Sequence, residues 1–528
     1  MLSREFGVEV VRNIRKIVLL ISFLCCVFGA SADDLKFEVS SWVVKGENPL
    51  SERKTTGILN AYLGAHVGLD RLTEATELLQ LAIRDAGYTF YRVDLPPQTL
   101  EGGVVELSIF PFVLGNVSVA GAIHHDEENI LNSLPGLVKG ESPRAEKLSR
   151  QLGLGNLNPS RRAKLVFGSS TESGQLDARV DVSDRDPKRA YVWLSNTGDD
   201  DTGEYRMGVG YQNHNFLNRD NQLTLTYTTS PTESSKVSQY GLNVRTPHYR
   251  SAGMFDIFAI HSTSDTGRVA EFFDVRGGGD IYGVGYSTVI PKTGDASKVI
   301  RVGLSDKSFD SDINFLGTPI GVDVRSRPLS FFYRVDLEKD TFVSEFSLQA
   351  VKNLSSGANN DDATYAAARA GADADWSLFR AEAGAQTTFN NWTYGIKFEG
   401  QYADEPLISG EQFGAGGVHS VRGFRGREIA GDKGARLGLT ITAPKLRSGL
   451  KFGWFFDAGT VERVSPLPDD SGKDSISGTG ISLNWQWSRQ IQMDAHFAHV
   501  LNAADQDVGS NTQEGDTFVH FNLSWFFQ

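Results

Sequence analysis

Two different periodicities of apolar and polar positions divide the chain near residue 187. Before it, helix-like and strand-like stretches alternate. Phe37 to Val44 is rich in β-branched and aromatic residues and predicts a strand, and Ser51 to Leu63 predicts a helix. Leu72, Ala75, Leu78, Leu79, Ala82 and Ile83 recur at i, i+3, i+4 spacing, so an amphipathic helix is expected over Leu72 to Ala86, stopped at Gly87. Tyr88 to Leu95 and Val104 to Phe112 follow as strands, separated by Pro96-Pro97 and a Gly102-Gly103 turn. The resulting β-α-α-β-β order recurs downstream. Val113 to Val119 is a strand, Asp126 to Ser133 and Pro143 to Leu154 are helical, and Ala163 to Ser169 and Leu176 to Val182 are strands. Two copies of one small α/β unit, 33–111 and 112–187, are therefore expected.

After Asp186-Pro187 the helical period vanishes. Leu223, Leu225 and Tyr227 alternate with threonines; Ile481, Leu483, Trp485 and Trp487 alternate with Ser482, Asn484, Gln486 and Ser488. Val519, Phe521, Leu523, Trp525 and Phe527 alternate in the same way with His520, Asn522, Ser524 and Phe526. Segments of about ten residues, apolar on one face and polar on the other, mark a membrane β-barrel with a wet interior. Sixteen or 17 such segments lie between Tyr191 and Phe527. Single-chain bacterial barrels have even strand numbers, so 16 are expected, with one segment between Thr341 and Phe389 read as loop. Closure removes the unpaired edges that lipid does not tolerate. A soluble β-sandwich or propeller would not explain Trp and Phe gathered on the outward face near strand ends. The expected class is α+β followed by all-β, with the barrel at 188–528.

The N-terminus modifies this picture by placing the chain outside the cytoplasm. Arg4, Arg12, Arg15 and Lys16 precede the apolar run Ile17 to Phe28, and Ala30-Ser31-Ala32 supplies a small-x-small cleavage pattern. Residues 1–32 thus read as an export signal, too short to span a bilayer as a helix. Both cysteines, Cys25 and Cys26, fall inside it, so the mature chain needs neither disulfides nor thiol chemistry. The whole chain carries −13; the signal's four basic and two acidic residues leave −15 on the rest. Such acidity argues against general nucleic-acid binding. No later segment approaches 18 consecutive apolar residues, which excludes a helical membrane protein.

One inter-strand segment stands out for its length and glycine content: 405–431, holding Gly414, Gly416, Gly417 and then Val421-Arg422-Gly423-Phe424. Should the loop fold inside a barrel, its guanidinium needs a carboxylate partner, because a desolvated unpaired charge is costly. Phe455, Asp457 and Gly459 share one face of the strand Leu450 to Val461, while Trp454, Phe456 and Ala458 share the other. The apolar trio suits lipid, which turns Asp457 to the lumen. A pair of Arg422 with Asp457 would pin the loop tip to the wall; a solvated arginine and an unrelated lumenal carboxylate is the alternative.

Taken in order, these stretches resemble the two-partner secretion transporters, the TpsB family, in the superfamily of periplasmic POTRA domains fused to outer-membrane barrels. Val421-Arg422-Gly423-Phe424 is similar to the family's VRG(F/Y) loop tip, and Phe455, Asp457 and Gly459 to its F-x-D-x-G strand. Leu95-Pro96-Pro97-Gln98 with Gly102-Gly103, Leu157-Asn158-Pro159-Ser160-Arg161, and Leu194-Ser195-Asn196-Thr197-Gly198 resemble its first POTRA, its second POTRA and its first barrel strand. Family members often carry an N-terminal helix that plugs the barrel. Here the first strand starts almost at the expected cleavage site, so another gating element, or a more open pore, is expected. Gln528 also displaces the usual terminal aromatic to Phe527.

The resemblance implies secretion of an unfolded haemolysin-like or adhesin-like exoprotein through an outer-membrane barrel, with the barrel-assembly machinery needed for biogenesis. No Walker-type loop is present, so the driving free energy is expected from the partner folding outside. POTRA strand edges suit capture by β-augmentation, for which Leu78, Ile83, Tyr91, Val93 and Leu95 are the candidate residues. An assembly factor inserting other barrels is the rival reading, and a passive porin has no use for POTRA units. No enzyme, cofactor or metal is expected. His124-His125-Asp126-Glu127-Glu128 cannot converge on one ion and fits an acidic helix start. Gly277-Gly278-Gly279 is a turn rather than a phosphate loop.

Overall fold

A computed structural model describes residues 36–527, apart from 264–266, 270–272, 276–277, 294, 311–313, 316–317, 320, 447–448, 467–471 and 505–511. The expected export signal and both cysteines lie outside the described residues. The chain forms two compact units. One draws on residues up to Asn116 with Val138–Glu146 and Gly168–Asp177; the other comprises Val117–Leu137, Lys147–Phe167 and the chain from Ala178 onward.

In the first unit Val104–Pro111 is the central strand, parallel to Ser41–Gly46 on one side and antiparallel to Tyr91–Asp94 on the other. Helix Asp70–Asp85 turns Leu72, Ala75, Leu79 and Ile83 inward, where Ala75, Leu79 and Ile83 pack on Leu59, Val93, Leu107 and Ile109. Burying such side chains stabilises by about 1.5–3 kcal/mol each relative to exposure. The strand expected over Phe37 to Val44 is in fact two. At Ser40 the backbone N–H donates to the Gly103 carbonyl (2.8 Å), and the chain bends out of one sheet into another. Lys36–Val39 then pairs with Gly64–Val67, a strand lying between the two helices expected from sequence and assigned to neither. Gly64 at φ +106° and Gly68 at φ +73° bracket that short strand, which explains why propensity did not reveal it. The order in this unit is therefore β-β-α-β-α-β-β.

The second α/β segment has sheet order Val113–Ala120, Gln175–Asp184, Arg161–Ser169, with helices Glu127–Asn132 and Ala145–Gly155. Its portions in the larger unit join the first two short turns of the barrel through buried polar groups. Arg161 donates to Asp220 (2.5 Å) and to the Tyr249 hydroxyl (3.1 Å), and Tyr249 donates to the same carboxylate. Asn158 Nδ2 donates to the His214 carbonyl (2.7 Å), and Asn129 Nδ2 to the Asn218 carbonyl (2.9 Å). Burial and the Asp220 charge both push the Tyr249 phenol above its ordinary pKa. Nearby, Asp184 accepts from the His125 ring (3.0 Å) and from the backbone of Ile123, His124 and His125. Burial opposes ionisation there, but these donors outweigh it and hold Asp184 below the usual carboxylate range.

The rest of the larger unit is a closed antiparallel barrel of 16 wall strands, as the alternation implied. Seventeen segments contribute, but Val324–Ser326 and Pro328–Lys339 are one wall strand interrupted at Arg327, since both pair with Ala296–Phe309. Between Phe342–Asn353 and Ser377–Phe389 the chain forms a loop carrying helix Asp362–Ala368. The last strand, Thr517–Phe527, closes on the first, Lys188–Ser195, over Asn522 to Phe527. Asn196 extends that seam with its side chain, which accepts from the Phe521 N–H (2.8 Å) and donates to the Val519 carbonyl. One rim has tight turns such as 340–341 and 390–391, while the opposite rim has long loops such as 354–376 and 403–432. The chain reaches the first wall strand at Lys188, on the tight-turn rim. Among the described residues no helix is long and apolar enough to cross a membrane; strands do the crossing.

Candidate functional site: a loop folded into the lumen

Residues 403–432 leave the strand Trp392–Tyr402 at the long-loop rim and return as Lys433–Thr442. Between these strands the segment makes a short helical turn, Ser409–Glu411, and a hairpin of Phe413–Ala415 with Ile429–Gly431. Its base is clamped. Asp432, fully buried, accepts from both terminal nitrogens of Arg369 (2.5 and 2.7 Å) and from the Leu407 and Val464 N–H groups (2.8 and 2.7 Å). Glu411, also buried, takes Lys307 (2.8 Å) and Ser326 (3.0 Å). Gly416 sits at φ +121°, and a Cβ there would lie 2.5 Å from the Arg425 carbonyl oxygen, so the hairpin end tolerates only glycine.

The tip carries the four residues singled out from sequence. Val421 and Phe424 are fully buried against Phe413, Ala415, Ile429, Val461, Ile476 and Val500. Arg422 meets Asp457 in a two-pronged contact, Nε to Oδ2 at 2.6 Å and Nη2 to Oδ1 at 2.9 Å, and its own N–H reaches Oδ2 at 3.1 Å. The guanidinium carbon lies 3.6 Å over the Phe455 ring. The strand Leu450–Glu462 thus supplies both a carboxylate and an aromatic face, while Trp454 on its other side is 44% exposed toward lipid. Gly459 has a steric role: a Cβ there would come within 2.8 Å of Ala415 Cβ and 3.0 Å of Val421.

The sequence reading missed part of this anchor. Gly478, on the next strand, lets the backbone at Arg422 approach, since a Cβ would sit 2.4 Å from that residue's carbonyl oxygen. His520 accepts from the Gly423 N–H at 3.1 Å, and Arg422 Nη1 approaches His496 Nδ1 at 3.5 Å. In the sequence the two histidines were only polar members of alternating strands, with nothing local to mark them.

The tip splits the free lumen. Cavities of about 480 and 550 Å³ both reach Val418, His419, Ser420, Glu399 and Arg436. The wall around them carries charge in pairs: Arg334 with Asp336 (2.7 Å) and Glu345 (2.6 Å), Lys397 with Glu399 (2.6 Å), and Arg436 with Glu399.

In the first unit, the five candidate substrate contacts do not form one surface. Ile83 and Val93 are core, at 0% and 4% exposure, because both point into the helix–sheet interface; they leave a partner nothing to touch. Tyr91 and Leu95 are half-buried against that core. Leu78 is 41% exposed, and Leu81, which was not singled out, is 47% exposed one turn along the same helix. Tyr91–Asp94 is an edge strand, paired only with Val104–Pro111 among the described residues. The Val93 N–H on its free side is held by Gln80 Oε1 at 3.2 Å.

A 16-stranded barrel preceded by POTRA-like α/β units, with an inserted loop pinned to its wall, defines an outer-membrane protein of the POTRA–barrel class that keeps its α/β region in the periplasm. The chain belongs to the haemolysin secretion/activation family ShlB/FhaC/HecB, whose description it matches over residues 174–485, well over half its length. Residues 37–111 match the ShlB-type POTRA domain. This is the two-partner secretion family, whose members pair with secreted exoproteins. Among curated relatives, the chain is 23% identical over 221 residues to the heme/hemopexin transporter protein HuxB of Haemophilus influenzae strain 86-028NP, covering 38% of each chain. It is 21% identical over 417 residues to the outer membrane transporter CdiB of Dickeya dadantii, covering 73% of this chain and 68% of that one. The fold is similar to that of CdiB from Escherichia coli, with a TM-score of 0.71 at 16% identity over 99% of both chains.

Proposed function

We propose that this chain is the translocator of a two-partner system, capturing one unfolded exoprotein in the periplasm and passing it through the barrel. The observation that carries the reading is the loop tip locked inside the lumen by Arg422 and Asp457 at 2.6 and 2.9 Å. A passive pore has no use for such a strut. Its charged, hydrogen-bonded contact at one wall can break and re-form as a unit. Paired charges along the lumen favour an extended polar chain over a folded apolar one. Residues 33–111 and 112–187 act as two POTRA domains. The edge strand Tyr91–Asp94 offers main-chain bonds for β-augmentation, and Leu78 and Leu81 are exposed apolar side chains on the helix of the same unit. No step requires an enzyme activity, a cofactor or a metal. Lipid and the barrel-assembly machinery are the other partners, and the partner's folding outside supplies the driving free energy.

The test is single-channel recording of the purified protein in planar bilayers, wild type against Asp457→Ala. A fluctuating wild-type conductance that becomes larger and steadier in the variant supports a pinned lumenal loop. Identical, steady conductance in both would remove the loop from the mechanism.

A further inference from the structure

The loop tip rests on a second set of groups besides Asp457, and these groups can hold it in only one protonation state. His520 lies on the last wall strand and is 3% exposed. Its Nε2 is 3.1 Å from the Gly423 backbone nitrogen, which can only donate. Nε2 must therefore carry a free lone pair, and the ring is neutral with its proton on Nδ1. His496, on the preceding strand, faces the Arg422 Nη1 at 3.5 Å through Nδ1; a guanidinium also only donates. Both rings are held in place: His520 lies beside Phe518 (4.6 Å between centroids), and His496 stands edge-on to Phe455 (6.0 Å).

We propose that neutral His520, assisted by neutral His496, is a positioning residue for the lumenal loop, and that protonating the pair releases the tip from the last two wall strands. This rests on reading the chain as a channel-forming transporter. The charged groups around the pair favour release once a proton arrives. From the loop, His419 and Arg422 face it, and Asp457 on the strand Leu450–Glu462 is already committed to Arg422. Asp199, Glu399, Arg425 and Arg436 line the cavity that His520 shares. Arg425 is paired with Asp200 (2.7 Å) and Arg436 with Glu399, so these cations have carboxylates of their own. An imidazolium at 520 would face the Gly423 N–H, donor against donor, close to an uncompensated His496. Of the tip's side-chain hydrogen bonds to the wall, only those to Asp457 would then remain, beside the apolar packing of Val421 and Phe424. His520 also sits on the strand that closes on the first, so the loop and the closing seam share one strand.

Three variants separate the chemistry from a packing role. His520→Gln keeps an acceptor near the Nε2 position but cannot titrate. His520→Leu keeps bulk without an acceptor. His520→Lys is a permanent donor and cation. Each is first checked for heat-modifiable migration, which reports a folded barrel. Conductance is recorded in planar bilayers from about pH 7.5 down to about pH 4; the ring regains its ordinary pKa of ~6.5 only once the tip is released, so each unit of acidification below that value favours the released state. A lone cysteine at Ser420 is labelled in parallel with a bulky maleimide. The expected result is that wild type gains large openings and at least severalfold faster labelling on acidification. His520→Gln stays at the neutral wild-type level at every pH, and His520→Leu and His520→Lys stay at the acid level throughout. The anchor is refuted when His520→Leu matches wild type at neutral pH, or when His520→Gln opens with acid as wild type does. Absence of any wild-type conductance would instead overturn the transporter reading itself.

Discussion

Arg422, at the tip of an inserted loop, and Asp457, on the wall strand Leu450–Glu462, share two side-chain hydrogen bonds of 2.6 and 2.9 Å inside the barrel. Their side chains are 12% and 2% exposed. Removing one member of a buried pair strands the other charge and costs about 3–5 kcal/mol. Asp457→Asn is therefore expected to loosen the tip more than the double variant Arg422→Leu with Asp457→Leu. A double-mutant cycle on the rate of maleimide labelling at a Ser420→Cys reporter measures this. Purely additive effects would mean that the two residues act independently.

Gly423 follows the arginine at φ +104°, and a Cβ there would lie 3.3 Å from Ala498. Gly423→Ala is expected to cost about 1–3 kcal/mol of strain at the tip and to raise the opening frequency without changing barrel migration on gels. Phe424→Ala empties a fully buried site and is expected to cost about 3–5 kcal/mol. Thermal melting monitored by protease resistance of the loop should rank the two in that order.

At the tight-turn rim, Asp220 holds Arg161, both side chains almost fully closed to solvent, and the half-buried Tyr249. Asp220→Asn leaves a buried arginine short of its counter-charge, with an expected loss of about 3–5 kcal/mol in the joint. Limited proteolysis should then cut within 117–167 while the barrel stays intact. Unchanged protease resistance would show that the joint is held by other contacts.

Asp184 gives the joint a pH signature. Its pKa is lowered from the ordinary 3.8, so its contribution to stability is fully present above about 3.8 and is lost as pH falls through the lower folded value. The melting-temperature gap between wild type and Asp184→Asn should be constant near neutrality and close only in strong acid. A gap that closes nearer neutrality would refute the assignment to Asp184.

The Val93 N–H on the free edge of Tyr91–Asp94 is occupied by Gln80. An added strand would have to displace that side chain. Gln80→Leu should therefore strengthen photo-crosslinking of an unfolded polypeptide to a probe at Arg92, by severalfold. A decrease would place capture on another edge.

Periodicity along the chain was enough to reveal the barrel and the α/β units, because alternation with period 2 and recurrence at 3.6 are local properties of lipid-facing strands and core-facing helices. Residue type and face assignment nominated Arg422 and Asp457 as a pair but left a solvated arginine and an unrelated lumenal carboxylate as the alternative, and the family resemblance favoured the pair. Much else depended on long-range closure. Ile83 and Val93, named as candidate contacts, are core, and Leu81, which was not named, is exposed, because which helix face meets the sheet is decided by packing. The split at Ser40 follows from a hydrogen bond to Gly103, far along the chain. The contacts of Gly423 with His520 and of Asp220 with Arg161 join residues 97 and 59 positions apart, and they arise only when the barrel closes and its loop folds inward. A local pattern shows which face a side chain takes; only the closed structure shows what stands opposite it.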